Sequence, residues 1–257
     1  MSSQNYSIGI TGGSGYIGSS LAIHLSSRSL DVKLLDINVP TQRFNDHVSF
    51  HVCDIRNSRE AEEALSDVDL VIHAAVVQIP LINDNKRLGY EVNFLGTENV
   101  CRAVEKSSRA RGMILAGSWH TVGEKGLVGV IDEDFGFRPD KVEDRARLYV
   151  LAKIAQETVV RFYDEMSEKV FGIIRMGTVL GENMPDRTAA KIFIENGING
   201  RRITPYMHSL FRPMLYVDIV DVCRAYENLA IKILNHDIGR KRKSTAHIFN
   251  LYYPEPV

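Results

Sequence analysis

Thr11-Gly-Gly-Ser-Gly-Tyr-Ile-Gly18 directly follows the apolar run Ser7 to Thr11, and it opens a stretch, Gly15 to Ser26, with apolar residues at three- and four-residue spacings. Gly12, Gly15 and Gly18 give G-x-x-G-x-x-G in a strand–turn–helix setting. Glycines so placed permit a tight turn, let a pyrophosphate approach the N–H groups of a helix N-terminus, and let helix pack closely on strand. Tyr16 and Ile17 belong to the same candidate cofactor loop. Asp36 ends a second apolar run, eighteen residues past Gly18, where its carboxylate can accept from a ribose 2'-hydroxyl. The same charge repels the extra phosphate of NADP, and no Arg or Lys stands at Ile37, Asn38, Val39 or Pro40, so NAD is favoured. In Cys53-Asp-Ile-Arg56, Asp54 beside the flat apolar Ile55 can grip an adenine edge; an aspartate capping a turn is the competing reading.

Working outward, short β-branched runs alternate with amphipathic stretches as far as Arg175, the pattern of βαβ units. The expected fold class is α/β: a Rossmann-type doubly wound parallel sheet. Strands are expected at Ser7 to Thr11, Val32 to Asp36, Val48 to Cys53, Leu70 to Ala74, Met113 to Ala116 and Val170 to Arg175, and helices at Gly15 to Ser26, Ser58 to Leu65, Tyr90 to Lys106 and Arg147 to Glu165. After Arg175, Gly and Pro break the chain around a modest helix near Thr188 to Glu195, before a helix from Val217 to Ile233 and a last strand, His247 to Leu251. The expected organisation is a core of residues 1–175, completed by 212–233 and 246–252, with a small substrate lobe from 176–211 and 234–245. The basic run Arg240 to Lys243 reads as a solvated loop, with contact to phosphate or a partner as the alternative.

The 257 residues, 44% of them hydrophobic, suffice for one sizeable core. With 31 basic and 32 acidic residues the net charge is -1, so no overall field recruits nucleic acid or an anionic membrane. Met1 to Tyr6 is polar without a secretory leader's apolar core, and no stretch approaches the ~20 apolar residues of a membrane span, which predicts a cytoplasmic protein. Cys53, Cys101 and Cys223 lack paired spacing and read as small core residues; no metal site is expected.

Tyr149 and Lys153 lie one helical turn apart and emerge from one face of one helix. A phenol near its free pKa of about 10 is a poor base at neutral pH, and a cation held beside it favours the phenolate. Lys153 can supply that cation and also donate to a nicotinamide ribose. Taken alone, a Tyr/Lys pair at this spacing is ordinarily helix surface.

The chain resembles the extended short-chain dehydrogenase/reductase family, the NAD-dependent epimerases and dehydratases, over nearly its whole length. The matching pieces are Thr11 to Gly18, Asp36, Asp54-Ile-Arg56, His73-Ala-Ala75, Asn93-Phe-Leu-Gly-Thr97, Ser118, Tyr149-Val-Leu-Ala-Lys153, Arg175, Arg212 to Asp218 and Asn250. The resemblance implies a catalytic triad of Ser118, Tyr149 and Lys153, with Ser118 bonding the substrate oxygen and Tyr149 exchanging its proton. It implies that Ala74, Ala75, Asn93 and the segment Arg175 to Thr178 line NAD, and that two copies pair through the helix carrying Tyr149 as a homodimer.

The chain also departs from the family pattern. Val122 stands where the family usually has tyrosine, and Trp119 and His120 occupy the places of the Asp-Glu pair used by sugar-nucleotide 4,6-dehydratases, which argues against that reaction. His120 can bond a substrate hydroxyl or carboxylate, or be a loop histidine bonded to backbone. Thr178 replaces an asparagine that many nucleotide-sugar enzymes use on the diphosphate, and the Ser-x-His-Thr run has a local likeness to uronate dehydrogenases. Arg212 matches the arginine that epimerases place on the pyrophosphate, a lobe-to-core ion pair being the alternative. Family members normally continue past Asn250 to Val257 with another helix, so the resemblance implies a truncated lobe. The leading expectation is NAD-dependent oxidation of a sugar carbinol, on a nucleotide sugar, with return of the hydride as in an epimerase. A net dehydrogenase of a free sugar or sugar acid is the second reading, and a non-catalytic NAD-binding regulator, against which the intact triad argues, the third.

Overall fold

Alternate residues of the central strands face opposite apolar layers, and that two-sidedness builds the architecture. The computed structural model describes residues 6–186, 188–205, 207, 213–238, 245 and 247–253. Seven parallel strands, β1 (Ser7–Thr11), β2 (Asp31–Asp36), β3 (Val48–Val52), β4 (Leu70–His73), β5 (Gly112–Ser118), β6 (Val170–Met176) and β9 (Ile248–Leu251), lie in the order β3-β2-β1-β4-β5-β6-β9. This is the doubly wound sheet expected, and its order reverses between β1 and β4.

Ile8, Ile10, Leu70, Ile72, Ile114 and Ala116 point to one face, where helices α1 (Tyr16–Ser26) and α8 (Ile219–Leu234) cover them with Leu21, Leu25, Val222 and Tyr226. Val71, Met113, Leu115, Phe171 and Ile173 point to the other, beneath α2 (Ser58–Leu65), α5 (Thr97–Lys106) and α6 (Arg147–Met166). Burial on both faces explains the near-continuous apolar runs. Cys53, Cys101 and Cys223 are buried free thiols within these layers.

Two expectations differ from what is found. The helix expected over Tyr90 to Lys106 is present but begins earlier and is not α throughout: after the short α3 (Leu81–Asp84), α4 (Lys86–Tyr90) continues through a π turn, Glu91–Gly96, into α5. There the Thr97 hydroxyl takes the Asn93 carbonyl at 2.8 Å, the Asn93 amide is drawn to Val77, and Gly96 admits the Ile55 side chain. Tyr216–Asp218 forms a strand, β8, paired with β7 (Thr178–Leu180), and α8 starts only after Asp218 accepts from the N–H of Val220. Helix α7 (Ala189–Ile198) has no buried residue. Among the described residues no helix is long and apolar enough to cross a membrane. Arg212 and the basic run Arg240 to Lys243 lie outside the described residues.

Candidate active site

β1 ends where Gly12 turns with φ +70°, and a Cβ there would stand 2.6 Å from the N of Ala75. A Cβ on Gly18 would stand 2.4 Å from the Gly12 carbonyl. Only glycine permits these approaches. Gly15 caps α1 without a side-chain bond and no acidic residue sits in the first turn, so the helix's first N–H groups are left for an anion. The Asp36 carboxylate is fastened beside them, accepting from Ser14 N at 3.1 Å and Asn38 N at 3.0 Å. A loop that any Cβ would fill, an open helix N-terminus and a carboxylate at the end of β2 together fit a dinucleotide.

Tyr16 and Ile17 pack partly buried against the core. Burial, and then the charge of Asp218, push the Tyr16 phenol up to about 12. Asp54 does cap its turn, and its carboxylate is held below the ordinary range chiefly by the Arg56 side chain. The Ile55 side chain is buried beneath Gly96. Asn93 is buried and binds both polar groups of Val77, at 2.7 Å and 3.1 Å, so its amide braces the segment after Ala74 and Ala75 instead of facing the mouth of the site.

The β5 strand runs on to Ser118, beyond its expected end, and delivers that hydroxyl to the C-terminal edge of the sheet. Tyr149 and Lys153 rise beside it from α6. Burial pushes the Tyr149 phenol upward, and a hydrogen bond with Ser118 pulls it back only in part. Lys153 donates to the Ala116 carbonyl at 2.8 Å, and burial pushes its pKa down to about 7. The sequence predicted an ammonium that lowers the phenol's pKa; in this arrangement the phenol's own burial is the larger influence and raises it.

Behind these residues runs a polar chain that pattern reading missed. His73 Nδ1 lies 2.7 Å from the Thr11 hydroxyl and Nε2 lies 2.9 Å from that of Thr97. Thr97 gives its hydrogen to the Asn93 carbonyl and also accepts from Gln156 Nε2 at 2.9 Å, so His73 must donate from Nε2 and accept from Thr11. Burial, then the Lys153 charge, push its pKa down to about 3. The neutral ring thus links β1, β4, α5 and α6 under the site. A histidine in an apolar strand was the available signal.

The family model of the NAD dependent epimerase/dehydratase family matches residues 8–239. The chain belongs to that family. It is 36% identical over 107 residues to short-chain dehydrogenase/reductase family 42E member 1 of Homo sapiens, covering 40% of this chain and 27% of that protein. It is 30% identical over 195 residues to the decarboxylating sterol-4-alpha-carboxylate 3-dehydrogenase of Homo sapiens, covering 75% of this chain and 49% of that one. The chain thus spans about a quarter to a half of these relatives. In fold it is similar to the Thermus thermophilus UDP-glucose 4-epimerase solved with NAD, with a TM-score of 0.78 and 23% identity over 98% of this chain and 79% of that one. NAD is this family's cofactor, and the glycine loop and Asp36 fit it.

Against this epimerase/dehydratase pattern, several residues do other work than the resemblance implied. Arg175 is 1% exposed and grips Glu157 through two bonds, 3.0 Å and 2.6 Å, while donating to the Glu133 carbonyl at 3.1 Å. Its guanidinium therefore pins β6 to α6 and to the segment that carries Glu133. Trp119, expected at the substrate, is buried with Val122, Leu127, Ile131 and Leu215, and its indole N–H donates to the Thr178 hydroxyl at 3.2 Å. That bond uses one acceptor site of the Thr178 hydroxyl and leaves its own hydrogen to donate. His120 stays at the site: its ring packs on Trp119, meets the edge of Tyr149 at 5.9 Å and approaches Ser118 at 3.2 Å.

Proposed function

We propose that this protein uses NAD to oxidise a sugar carbinol, on a nucleotide sugar, and returns the hydride as an epimerase does. The observation that carries the reading is the meeting of Ser118, Tyr149 and Lys153 at the C-terminal ends of the strands, next to the glycine loop at the β1/β4 reversal. NAD, when bound, supplies the hydride acceptor. Ser118 and Tyr149 then hold the carbinol oxygen between two hydroxyls, and Tyr149 takes and gives its proton. Lys153, buried with a pKa of about 7, switches charge near neutrality and can donate towards a ribose. The solved UDP-glucose 4-epimerase of the same fold supports the sugar-nucleotide class.

A net dehydrogenase of a free sugar or sugar acid is the second reading. It is favoured by Thr178, whose hydroxyl is engaged by Trp119 where a diphosphate-binding amide is usual, and by the sterol dehydrogenase among the relatives. We place a homodimer interface on α6, whose Leu151, Phe162 and Met166 form an exposed apolar stripe along one side.

The test incubates protein and NAD with UDP-, GDP- and dTDP-sugars and free uronic acids, following NADH absorbance and product identity. An isomeric nucleotide sugar without net NADH supports the epimerase; stoichiometric NADH supports the dehydrogenase. Tyr149→Phe should abolish either activity with NAD affinity nearly unchanged, and full activity in that variant would overturn both readings.

A further inference from the structure

On one side of the Tyr149 phenol lies Lys153, one of whose hydrogens goes to Ala116. On its other side the phenol faces Ser118, and Ser118 leads to a histidine and a buried acid. The Ser118 hydroxyl lies 3.2 Å from His120 Nδ1, and His120 Nε2 lies 3.3 Å from Glu124 Oε1. The Glu124 side chain is 1% exposed, whereas that of His120 is 19% exposed. The His120 ring is clamped between the Trp119 face, 4.3 Å between centroids, and the edge of Tyr149. Ser118 also accepts from the His120 N–H at 3.3 Å, so hydroxyl and imidazole are fixed to one turn of backbone.

We propose that Tyr149, Ser118, His120 and Glu124 form a proton relay in which His120 is the acceptor for the tyrosine's proton and Glu124 is its positioning residue. A carboxylate can only accept, so the Glu124 oxygen 3.3 Å away favours the tautomer of His120 with hydrogen on Nε2 and the Nδ1 lone pair facing Ser118. In the step itself the Tyr149 Oη–H bond breaks and its proton bonds to Ser118 Oγ, while the Ser118 proton passes to His120 Nδ1. The products are a phenolate, an unchanged serine and an imidazolium. The new cation sits between the Glu124 carboxylate and the Trp119 face. From its exposed edge His120 then exchanges that proton with water. This is the logic of a nucleophile, a base and an orienting carboxylate, applied here to priming a tyrosine. The relay rests on the function proposed above for Tyr149.

The test has two arms. In full-length protein with NAD and 15N-labelled histidine, nitrogen shifts of His120, assigned by loss of its signal in His120→Gln, report the tautomer. Hydrogen on Nε2 with a bare, hydrogen-bonded Nδ1 is expected; hydrogen on Nδ1 would overturn the relay. In the second arm, with UDP-glucose and glucuronate as probes, Glu124→Gln should lower kcat at least ~10-fold with KM unchanged. Glu124→Asp should recover part of it. An effect on KM alone would make Glu124 structural and overturn the relay. If neither probe turns over, or if Glu124→Gln does not fold, the wild-type tautomer decides the relay alone. Failure of turnover in wild type then counts against the proposed function and leaves the relay to the nitrogen shifts.

Discussion

Lys153 Nζ donates to the main-chain carbonyl of Ala116 at 2.8 Å, in the core of the sheet and one helical turn from Tyr149. An ammonium tied to a neutral dipole in a buried place has lost water without gaining a counter-charge, and its pKa of about 7 follows from burial.

That depressed value sets a pH dependence. The unfolded chain binds a proton at Lys153 up to about pH 10.5, the folded chain only up to about 7, so this group makes stability rise with pH between those values. Below pH 7 its burial costs on the order of 5 kcal/mol. Lys153→Met should be more stable than wild type at pH 6, and the gap should close towards pH 10, less ~1 kcal/mol for the lost hydrogen bond. Urea unfolding at the two pH values checks it; a constant gap would mean that Lys153 is not the titrating group.

His73 works in the opposite range. Its folded pKa of about 3, against 6.5 ordinarily, supplies stability that is complete above pH 6.5 and is lost as pH falls towards 3. His73→Asn should cost ~1–3 kcal/mol at pH 7, where the bonds to Thr11 and Thr97 are weakened, and show a shallower acid limb. Acid titrations followed by circular dichroism compare the slopes, and equal slopes would refute the assignment.

Arg175 and Glu157 are each 1% exposed and satisfy one another. Glu157→Ala strands a buried guanidinium and should cost ~3–5 kcal/mol, whereas the double change Glu157→Leu/Arg175→Met should recover most of that loss. Denaturation midpoints of the two variants test this. Equal losses would mean that shape, not charge, holds the site.

At the glycine loop, Gly18→Ala places a methyl 2.4 Å from the Gly12 carbonyl and should weaken NAD binding at least ~10-fold while the sheet stays folded. Asp36→Ala should lower preference for NAD over NADP by removing the repelling carboxylate. Calorimetric titration with both dinucleotides reads both effects, and an Asp36 variant with unchanged preference would move the specificity elsewhere.

Sequence alone determined the layered fold, because apolar alternation, glycine spacing and the position of Asp36 are local properties that the backbone must obey. It also put Tyr149 and Lys153 on one face, since helical periodicity needs no partner. It could not tell where side chains spend their hydrogen bonds. Trp119, Asn93 and Arg175 read as ligand contacts, yet the folded chain turns them inward to Thr178, Val77 and Glu157, residues 59, 16 and 18 positions away. The same holds for charge: the fold buries Tyr149 and Lys153 alike, and burial pushes the phenol's pKa up and the ammonium's down. Desolvation depends on what packs around a group, and residues distant in sequence supply that packing. Ser118, His120 and Glu124 meet within one local stretch of chain, but only the tertiary structure buried the Glu124 carboxylate and set the His120 ring against the edge of Tyr149.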